Sequence, residues 1–342
     1  WAPGLNVESD PGALSGDEIR TRILKAGVVG LGGATFPTHV KLSPPQGKPI
    51  DTVILNAAEC EPYLACDYRL MMEKPAEVME GFRLLMKVLG VRRGLVGVEA
   101  NKRDAAEKLR AVSGDIEVVL VKVKYPQGAE AQMIWALLKR EVPWKGGLPM
   151  DAGCVVQNVA TAFAVYEALR WNRPLIQRVC SVTGEGVERP ANYLVRVGTP
   201  LADVIAAAGL RDKAAKLILG GPMMGLAQGG SEMFCTKGTG GVLALCDAQP
   251  HAAGPCIRCG ACVRACPCGL TPALLSRAVE AADFDACLAM NALECKQCGC
   301  CTYVCPARRP LMHQLKLALD ELRRRKAEAD AKAKAQAARA AV

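Results

Sequence analysis

The chain has 342 residues, 51% of them hydrophobic, with 17 cysteines and a formal net charge of +9, which is enough for two or three domains that each bury a core. No uninterrupted run of about 18 apolar residues occurs, which argues against a bilayer-spanning helix, and no secretory leader is visible. Seventeen cysteines in a secreted chain would suggest disulfides, but eight of them fall into two metal-type runs, so the expected compartment is a reducing one. The opening at Trp1 rather than methionine reads as the interior of a longer protein.

Ile19, Ile23 and Leu24 recur at helical spacing and predict a helix over 16–27. A Gly-rich stretch follows, Gly30-Leu31-Gly32-Gly33-Ala34-Thr35-Phe36-Pro37-Thr38-His39-Val40-Lys41. It comes after a helix rather than a strand, so neither the dinucleotide fingerprint nor a Walker loop applies. Strands are then predicted over 51–56, 94–99, 116–122 and 154–157, alternating with helices over 76–89, 103–112, 129–140 and 161–171. Such alternation predicts an α/β domain with a mainly parallel sheet over 1–175. Beyond Pro174 the texture changes. Strands over 178–184, 192–197, 217–219 and 238–245 surround one helix over 201–208 and lead to a loop around Pro250. That order predicts a small α+β unit of the β-grasp kind over 176–250.

Next come Cys256, Cys259, Cys262 and Cys266, then Cys295, Cys298, Cys301 and Cys305. Each run reads Cys-x-x-Cys-x-x-Cys-x-x-x-Cys-Pro, the ligand spacing of bacterial ferredoxins that hold 4Fe–4S clusters. The doubled spacing outweighs a zinc site or a disulfide framework. In two-cluster ferredoxins the fourth cysteine of each run serves the other cluster. The expected sets are therefore Cys256, Cys259, Cys262 and Cys305 on one cube, and Cys295, Cys298, Cys301 and Cys266 on the other. The 28-residue spacer between Cys266 and Cys295, with a helix over 272–282, predicts a helical ferredoxin-type domain over 251–320. Cys268 and Cys300 are extra thiols inside the runs, and the scattered Cys60, Cys66, Cys154, Cys180, Cys235, Cys246 and Cys287 read as small buried hydrophobes. Leu311, Leu315, Leu319 and Leu322 mark an amphipathic helix entering a basic Ala/Lys tail over 321–342. Such a tail reads as a solvated helix or a disordered end, ahead of a contact with an acidic partner or anionic membrane. Nucleic acid is not an expected partner, since no aromatic or Gly-rich recognition motif accompanies the charge.

Two further segments carry chemistry. Asn56-Ala57-Ala58-Glu59-Cys60-Glu61-Pro62 follows the first parallel strand, and ligands of such sheets bind beyond the carboxyl ends of the strands. Val155-Val156-Gln157-Asn158-Val159-Ala160-Thr161 is a strand entering a helix, whose first N–H groups can hold a phosphate. With Gly32-Gly33-Ala34-Thr35-Phe36-Pro37-Thr38 and Lys41, these segments resemble the NADH-binding flavoprotein subunit of respiratory complex I. The wording of Tyr125-Pro126-Gln127-Gly128 and Gly220-Gly221-Pro222-Met223-Met224-Gly225 is similar to the family of C subunits of the Rnf electron-transport complex, and the resemblance runs from Asp17 to about Leu322.

The resemblance implies a non-covalent FMN that receives hydride from NADH and hands single electrons to two 4Fe–4S clusters. It implies Gly32, Gly33 and Lys41 along the FMN, with Lys41 on its phosphate, and Asn56 on the flavin or ribityl chain. Gln157, Asn158 and Thr161 would close the phosphate side, Glu59 and Glu61 would hold sugar hydroxyls, and Gly128 and Glu130 would border the nucleotide pocket. Phe36 is a candidate stacking surface, and His39 reads as structural rather than catalytic. Hydride transfer to FMN needs no separate catalytic residue. Ala129 and Ala131 stand where glycine and a basic residue are expected beside Glu130. The implied function is a peripheral subunit of a membrane ion-pumping complex, on its cytoplasmic face, working between NAD(H) and ferredoxin alongside the other subunits. A soluble flavin and iron–sulfur reductase such as the cobalamin reductase is the alternative. A scaffold subunit that has lost its flavin is a third reading, distinguishable by colour and flavin content.

Overall fold

The computed structural model describes residues 1–247 and 252–340, with side chains to residue 336. The predicted loop around Pro250, the 250/251 domain boundary and the last two residues of the tail lie outside the described residues. Two compact units emerge, one of residues 1–143 and 147–248, the other of residues 144–146 and 249–342. Both domains expected before residue 250 thus fall within one unit.

That unit opens with α1 (Gly16–Lys25), started by a capping box in which Ser15 and Glu18 satisfy each other's backbone N–H. The Gly-rich loop follows and closes on a single turn, α2 (Thr38–Lys41). Then come β1 (Thr52–Ala57), α3 (Cys66–Glu73), α4 (Pro75–Leu89), β2 (Arg93–Glu99), α5 (Arg103–Ser113), β3 (Glu117–Val121), α6 (Glu130–Leu138), β4 (Cys154–Asn158) and α7 (Val159–Arg170). The four strands form an all-parallel sheet in the order β3-β2-β1-β4. Val53, Ile54 and Leu55 of β1 are fully buried, as a strand covered on both faces requires. The main core is built from β1, α1, α4, α5 and α7 around Phe82, Met79 and Leu85.

α4 and α7 touch through Gly81. A Cβ added there would lie 1.9 Å from the carbonyl oxygen of Ala162, so only glycine allows this approach. Gly81→Ala should therefore cost about 1–3 kcal/mol by overpacking. A melting temperature equal to that of the natural chain would show that the two helices part without penalty.

The same unit continues with β5 (Gln177–Thr183), β6 (Ala191–Arg196), α8 (Leu201–Ala208), β7 (Lys216–Leu219), β8 (Leu226–Gln228) and β9 (Gly241–Leu245). These strands make a mixed sheet ordered β6-β5-β9-β7-β8, with β5 parallel to β9 and the other pairs antiparallel. Val204, Ile205 and Leu201 of α8 pack with Cys180, Val182 and Val242 into a second core.

Apart from residues 144–146, the other unit is helical where it is described: α9 (Ala261–Arg264), α10 (Pro272–Glu280), α11 (Phe284–Ala289), α12 (Cys300–Tyr303) and α13 (Leu311–Ala340). Leu275, Cys287, Leu315, Ala318 and Leu322 form its core. α13 runs unbroken through the expected 320/321 boundary. The 321–342 tail is helical as far as it is described, with Leu322 the last buried side chain and residues 323–336 exposed. Arg324 and Arg325 pair with Glu321, and Arg324 also with Glu328. These exposed i,i+3 and i,i+4 pairs support a solvated helix.

Candidate functional site

The register of the parallel sheet assembles the first site. Asn56 at the end of β1 lies opposite Asn158 at the end of β4, and Leu55 opposite Gln157. Both strand ends therefore open at the same carboxyl edge, where the Gly-rich loop crosses. Leu31 N–H donates to Thr161 Oγ1 at 2.9 Å, and Arg178 of β5 donates to the Leu31 carbonyl at 3.4 Å. The loop is thus held from below by α7 and from the side by the mixed sheet. Arg178 is nearly buried, and it also reaches the Lys237 carbonyl at 2.6 Å.

Asn56 ties the edge to the next loop. Its Nδ2 donates to the Gly128 carbonyl at 2.7 Å, and its Oδ1 accepts from Ala58 N–H at 3.2 Å. Gly128 N–H faces the Cys60 sulfur at 3.3 Å, and burial pushes the Cys60 thiol up from its ordinary value. Such a thiol stays protonated and packs, as expected for a residue without nucleophilic duty. Lys41 on α2 forms an ion pair with Glu130 at the start of α6. Gly32 lies against Asn158 and Gly33 has a φ of +113°. Phe36 is half exposed at the loop. Of the expected residues, Gly32, Asn56, Gly128, Thr161 and Asn158 are therefore linked directly or through one neighbour.

One helix start shifts, and two expected site residues have backbone partners within the chain. The phosphate-side helix begins at Val159 rather than Thr161, with Asn158 as its N-cap. Asn158 Oδ1 accepts from Ala160 N–H at 2.9 Å and Thr161 N–H at 3.3 Å, so these two amides are already occupied. Glu59, expected to hold sugar hydroxyls, accepts from Asp67 N–H at 2.9 Å and Tyr68 N–H at 3.1 Å at the start of α3, and lies 3.8 Å from Lys102 Nζ. Glu61, given the same expected role, accepts from Met223 N–H at 2.8 Å and Met224 N–H at 3.0 Å, with Tyr125 Oη at 3.3 Å. Helix α3 was missing from the sequence reading, and with it the need of its N-terminus for a carboxylate. Both glutamates hold backbone in place: Glu59 fixes α3, and Glu61 fastens the Gly220–Gly225 turn to the parallel-sheet edge.

Asp67 is the charged residue that the sequence reading missed. Its Oδ2 accepts from Asn158 Nδ2 at 2.5 Å, and its Oδ1 has no partner among the described residues. Burial, then the neighbouring Glu59, push its carboxyl up to about 7, against the Asn158 hydrogen bond and the charges of Arg178 and Lys102. The folded chain holds this proton more tightly than the unfolded chain does. The corresponding stability is complete below the ordinary value of 3.8 and is lost as pH rises through about 7. Asp67→Asn should flatten that part of the profile in flavin-free protein. Denaturant unfolding at pH 5 and pH 8 tests it, and an unchanged difference between the two would assign the slope to other groups.

Flavin fits this edge on one count in particular. The Nε2 groups of Gln157 and Gln127 are buried and have no hydrogen-bond partner among the described residues. Two buried amide donors aimed nowhere are costly unless a ligand accepts from them. Gln127 sits in the Tyr-Pro-Gln-Gly segment, where its position beside Gly128 was the available signal.

The eight run cysteines make two hollows in the helical unit. One is lined by Cys256, Cys259, Cys262 and Cys305, the other by Cys266, Cys295, Cys298 and Cys301. The two runs share their backbone. Arg258 and Gln297 have φ of 56° and 54°, and the glycines after the second cysteines, Gly260 and Gly299, have φ of 71° and 77°. Each run then enters a one-turn helix, α9 or α12, and turns back at its fourth cysteine through Cys266 N–H to Val263 O and Cys305 N–H to Thr302 O. Among the described residues no three Cys, His, Asp or Glu side chains close on a single metal ion, and none of the cysteines is in a disulfide. A cube carrying four irons spreads its thiolates farther apart than one ion does, so two hollows of four suit clusters.

Comparison with known proteins defines the class first. A family model for the Nuo51 FMN-binding domain matches residues 23–167, and one for the SLBB domain matches residues 179–227. The fold is shared with the NAD+-reducing [NiFe]-hydrogenase in its air-oxidized state, at a TM-score of 0.60 and 23% identity over 80% of this chain and 54% of that one. The C subunit of the proton-translocating ferredoxin:NAD(+) oxidoreductase complex of Clostridium ljungdahlii is 46% identical over 81% of this chain and 61% of its own length. The C subunit of the Na(+)-translocating complex of Acetobacterium woodii is 44% identical over 90% and 71%, and that of the ion-translocating oxidoreductase complex of Rhodobacter capsulatus is 40% identical over 96% and 64%. The chain belongs to this family of C subunits. It spans 61% of the Clostridium relative and 64% of the Rhodobacter one.

Proposed function

We propose that the chain is the electron-input subunit of a membrane-associated, ion-translocating NAD:ferredoxin oxidoreductase, passing electrons between NAD(H), FMN and two 4Fe–4S clusters. The observation that carries this reading is the pair of hollows, each lined by four run cysteines, on the same chain as the Gly-rich site with its two amide donors that have no partner among the described residues. The names of the family's members favour it over a soluble cobalamin reductase. Its place is peripheral, on the cytoplasmic face beside the complex's other subunits. No helix among the described residues is long and apolar enough to cross a membrane.

FMN, when bound, accepts electrons in pairs and releases them singly, which is what joins a hydride donor to one-electron clusters. The chain's residues supply the rest. Lys41, paired with Glu130 here, would hold the phosphate, while Gln127 and Gln157 would donate to oxygens of the flavin or ribityl chain. Asn56 and Asn158 hold the strand ends, and the Thr161–Leu31 bond fixes Gly32 and Gly33 where a ligand passes close to backbone. Glu59 and Glu61 act by positioning: Glu61 couples the site to the Gly220–Gly225 turn, and Glu59 sets α3 and Asp67 beneath it. In the ferredoxin-type domain, Cys256, Cys259, Cys262 and Cys305 would hold one cluster, and Cys295, Cys298, Cys301 and Cys266 the other.

Anaerobic stopped-flow mixing with NADH tests the whole reading. The protein should carry FMN and about eight irons, the count for two cubes. Flavin absorbance should bleach before, or together with, the broad cluster absorbance. A preparation loaded with FMN and iron that NADH leaves oxidised would overturn the reading, as would clusters that reduce ahead of the flavin.

A further inference from the structure

The two thiol-lined hollows are not equal. The one closed by Cys305 contains four cysteines, whereas the one closed by Cys266 is lined by six: Cys266, Cys268, Cys295, Cys298, Cys300 and Cys301. The repeat explains why both extra thiols meet there. Cys300 follows Cys298 within its own run, and the matching residue of the first run is Ala261. Cys268 lies two residues beyond Cys266, on the arm that crosses over, and its counterpart beyond Cys305 is Ala307. Ala261 and Ala307 line the four-cysteine hollow, so equivalent positions face equivalent spaces and differ only in carrying methyl groups or thiols.

We propose that Cys268 is a stand-by ligand for the cluster held by the 295–301 run, able to replace Cys266. This rests on the two-cluster reading above. Cys300 opens α12 between Cys298, just before the Gly299 cap, and Cys301, so its backbone is already committed by two expected ligands of the same run. Cys268 approaches from the arm that Cys266 would vacate, and both half-buried side chains pack on the same core as Cys295. The exchange balances without a redox partner. The Cys268 thiol gives up its proton as its sulfur bonds iron, and the departing Cys266 thiolate takes a proton up. Its consequence is a cube that survives loss or oxidation of Cys266, an insurance the other hollow lacks.

The test compares Cys266→Ala, Cys266→Ala/Cys268→Ala and Cys266→Ala/Cys300→Ala by iron content and electron paramagnetic resonance of the reduced holoprotein. The single variant should keep about eight irons and two cubane signals, one of them altered, since four thiolates per cube remain available. The Cys268 double should lose that cube, and the Cys300 double should match the single. A single variant that already loses iron to a three-iron centre or an empty site would overturn the proposal. So would a Cys268 double that retains the cube. Circular dichroism and FMN content report folding independently, and Cys266→Ser, alone and with Cys268→Ala, repeats the comparison if the alanine chain does not fold. A natural chain without two cubane signals would instead refute the two-cluster reading itself.

Discussion

Cys305→Ala should remove the cluster bound by the first run and leave the cluster bound by its own run intact. Cys305 lines the hollow of Cys256, Cys259 and Cys262, not that of Cys295, Cys298 and Cys301. The reason is the turn after α12: Cys305 N–H bonds to the Thr302 carbonyl, and Pro306 then carries the fourth thiol away from the first three. No further cysteine lines that hollow, so the vacated iron has no replacement thiolate. Total iron should fall from about eight toward about four, or about seven if a three-iron centre persists. The surviving signal should be that of the 295–301 run, identified by its loss in a Cys298→Ala chain. If Cys305→Ala perturbs only the 295–301 signal, the interleaved pairing is wrong.

The repeated backbone of the two cysteine runs was legible because their spacing is local: a cysteine every third residue, and then one four residues on, recurs in both. The same αL residues recur at Arg258 and Gln297, and at Gly260 and Gly299, although only the glycines advertise it. The parallel sheet was legible for a similar reason, since Val53, Ile54 and Leu55 form a continuous apolar run between polar ends. α3 was lost because its apolar residues Leu70, Met71 and Met72 stand together beside Asp67 and Arg69, and no Ser, Thr, Asp or Asn caps it. Its cap is Glu59, a carboxylate seven residues upstream that only the fold brings back. The backbone partners of Glu61 were hidden for the same reason at greater range, because they lie at Met223 and Met224. A carboxylate in a site-like segment thus also serves backbone that only the fold brings to it. Of the two orphan glutamine amides, Gln157 stood in a segment expected at the site, whereas Gln127 had only its place beside Gly128 as a signal. Burial made them informative.

Lys41 and Glu130 should move FMN affinity in opposite directions. The resemblance placed both residues at the site separately, and the structure makes them partners. Lys41 is the only basic side chain of the Gly-rich loop apart from the titratable His39, and a partly buried phosphate dianion needs a cation. Removing it in Lys41→Ala should weaken FMN by about 1.5–3 kcal/mol, the range for a hydrogen bond to a charged group and roughly tenfold to over a hundredfold in Kd. Glu130 competes for the same ammonium and adds a negative charge near the phosphate. Glu130→Gln should therefore leave FMN as tight as before or tighter, with the gain shrinking as salt screens the repulsion. The double variant should bind no more weakly than Lys41→Ala alone, because without Lys41 only the repulsion from Glu130 is left to remove. Flavin fluorescence titration of deflavinated protein at low and high salt measures all three, with iron content as the control. Weaker binding in Glu130→Gln would mean that the carboxylate holds FMN directly, and normal retention in Lys41→Ala would move the phosphate away from this loop.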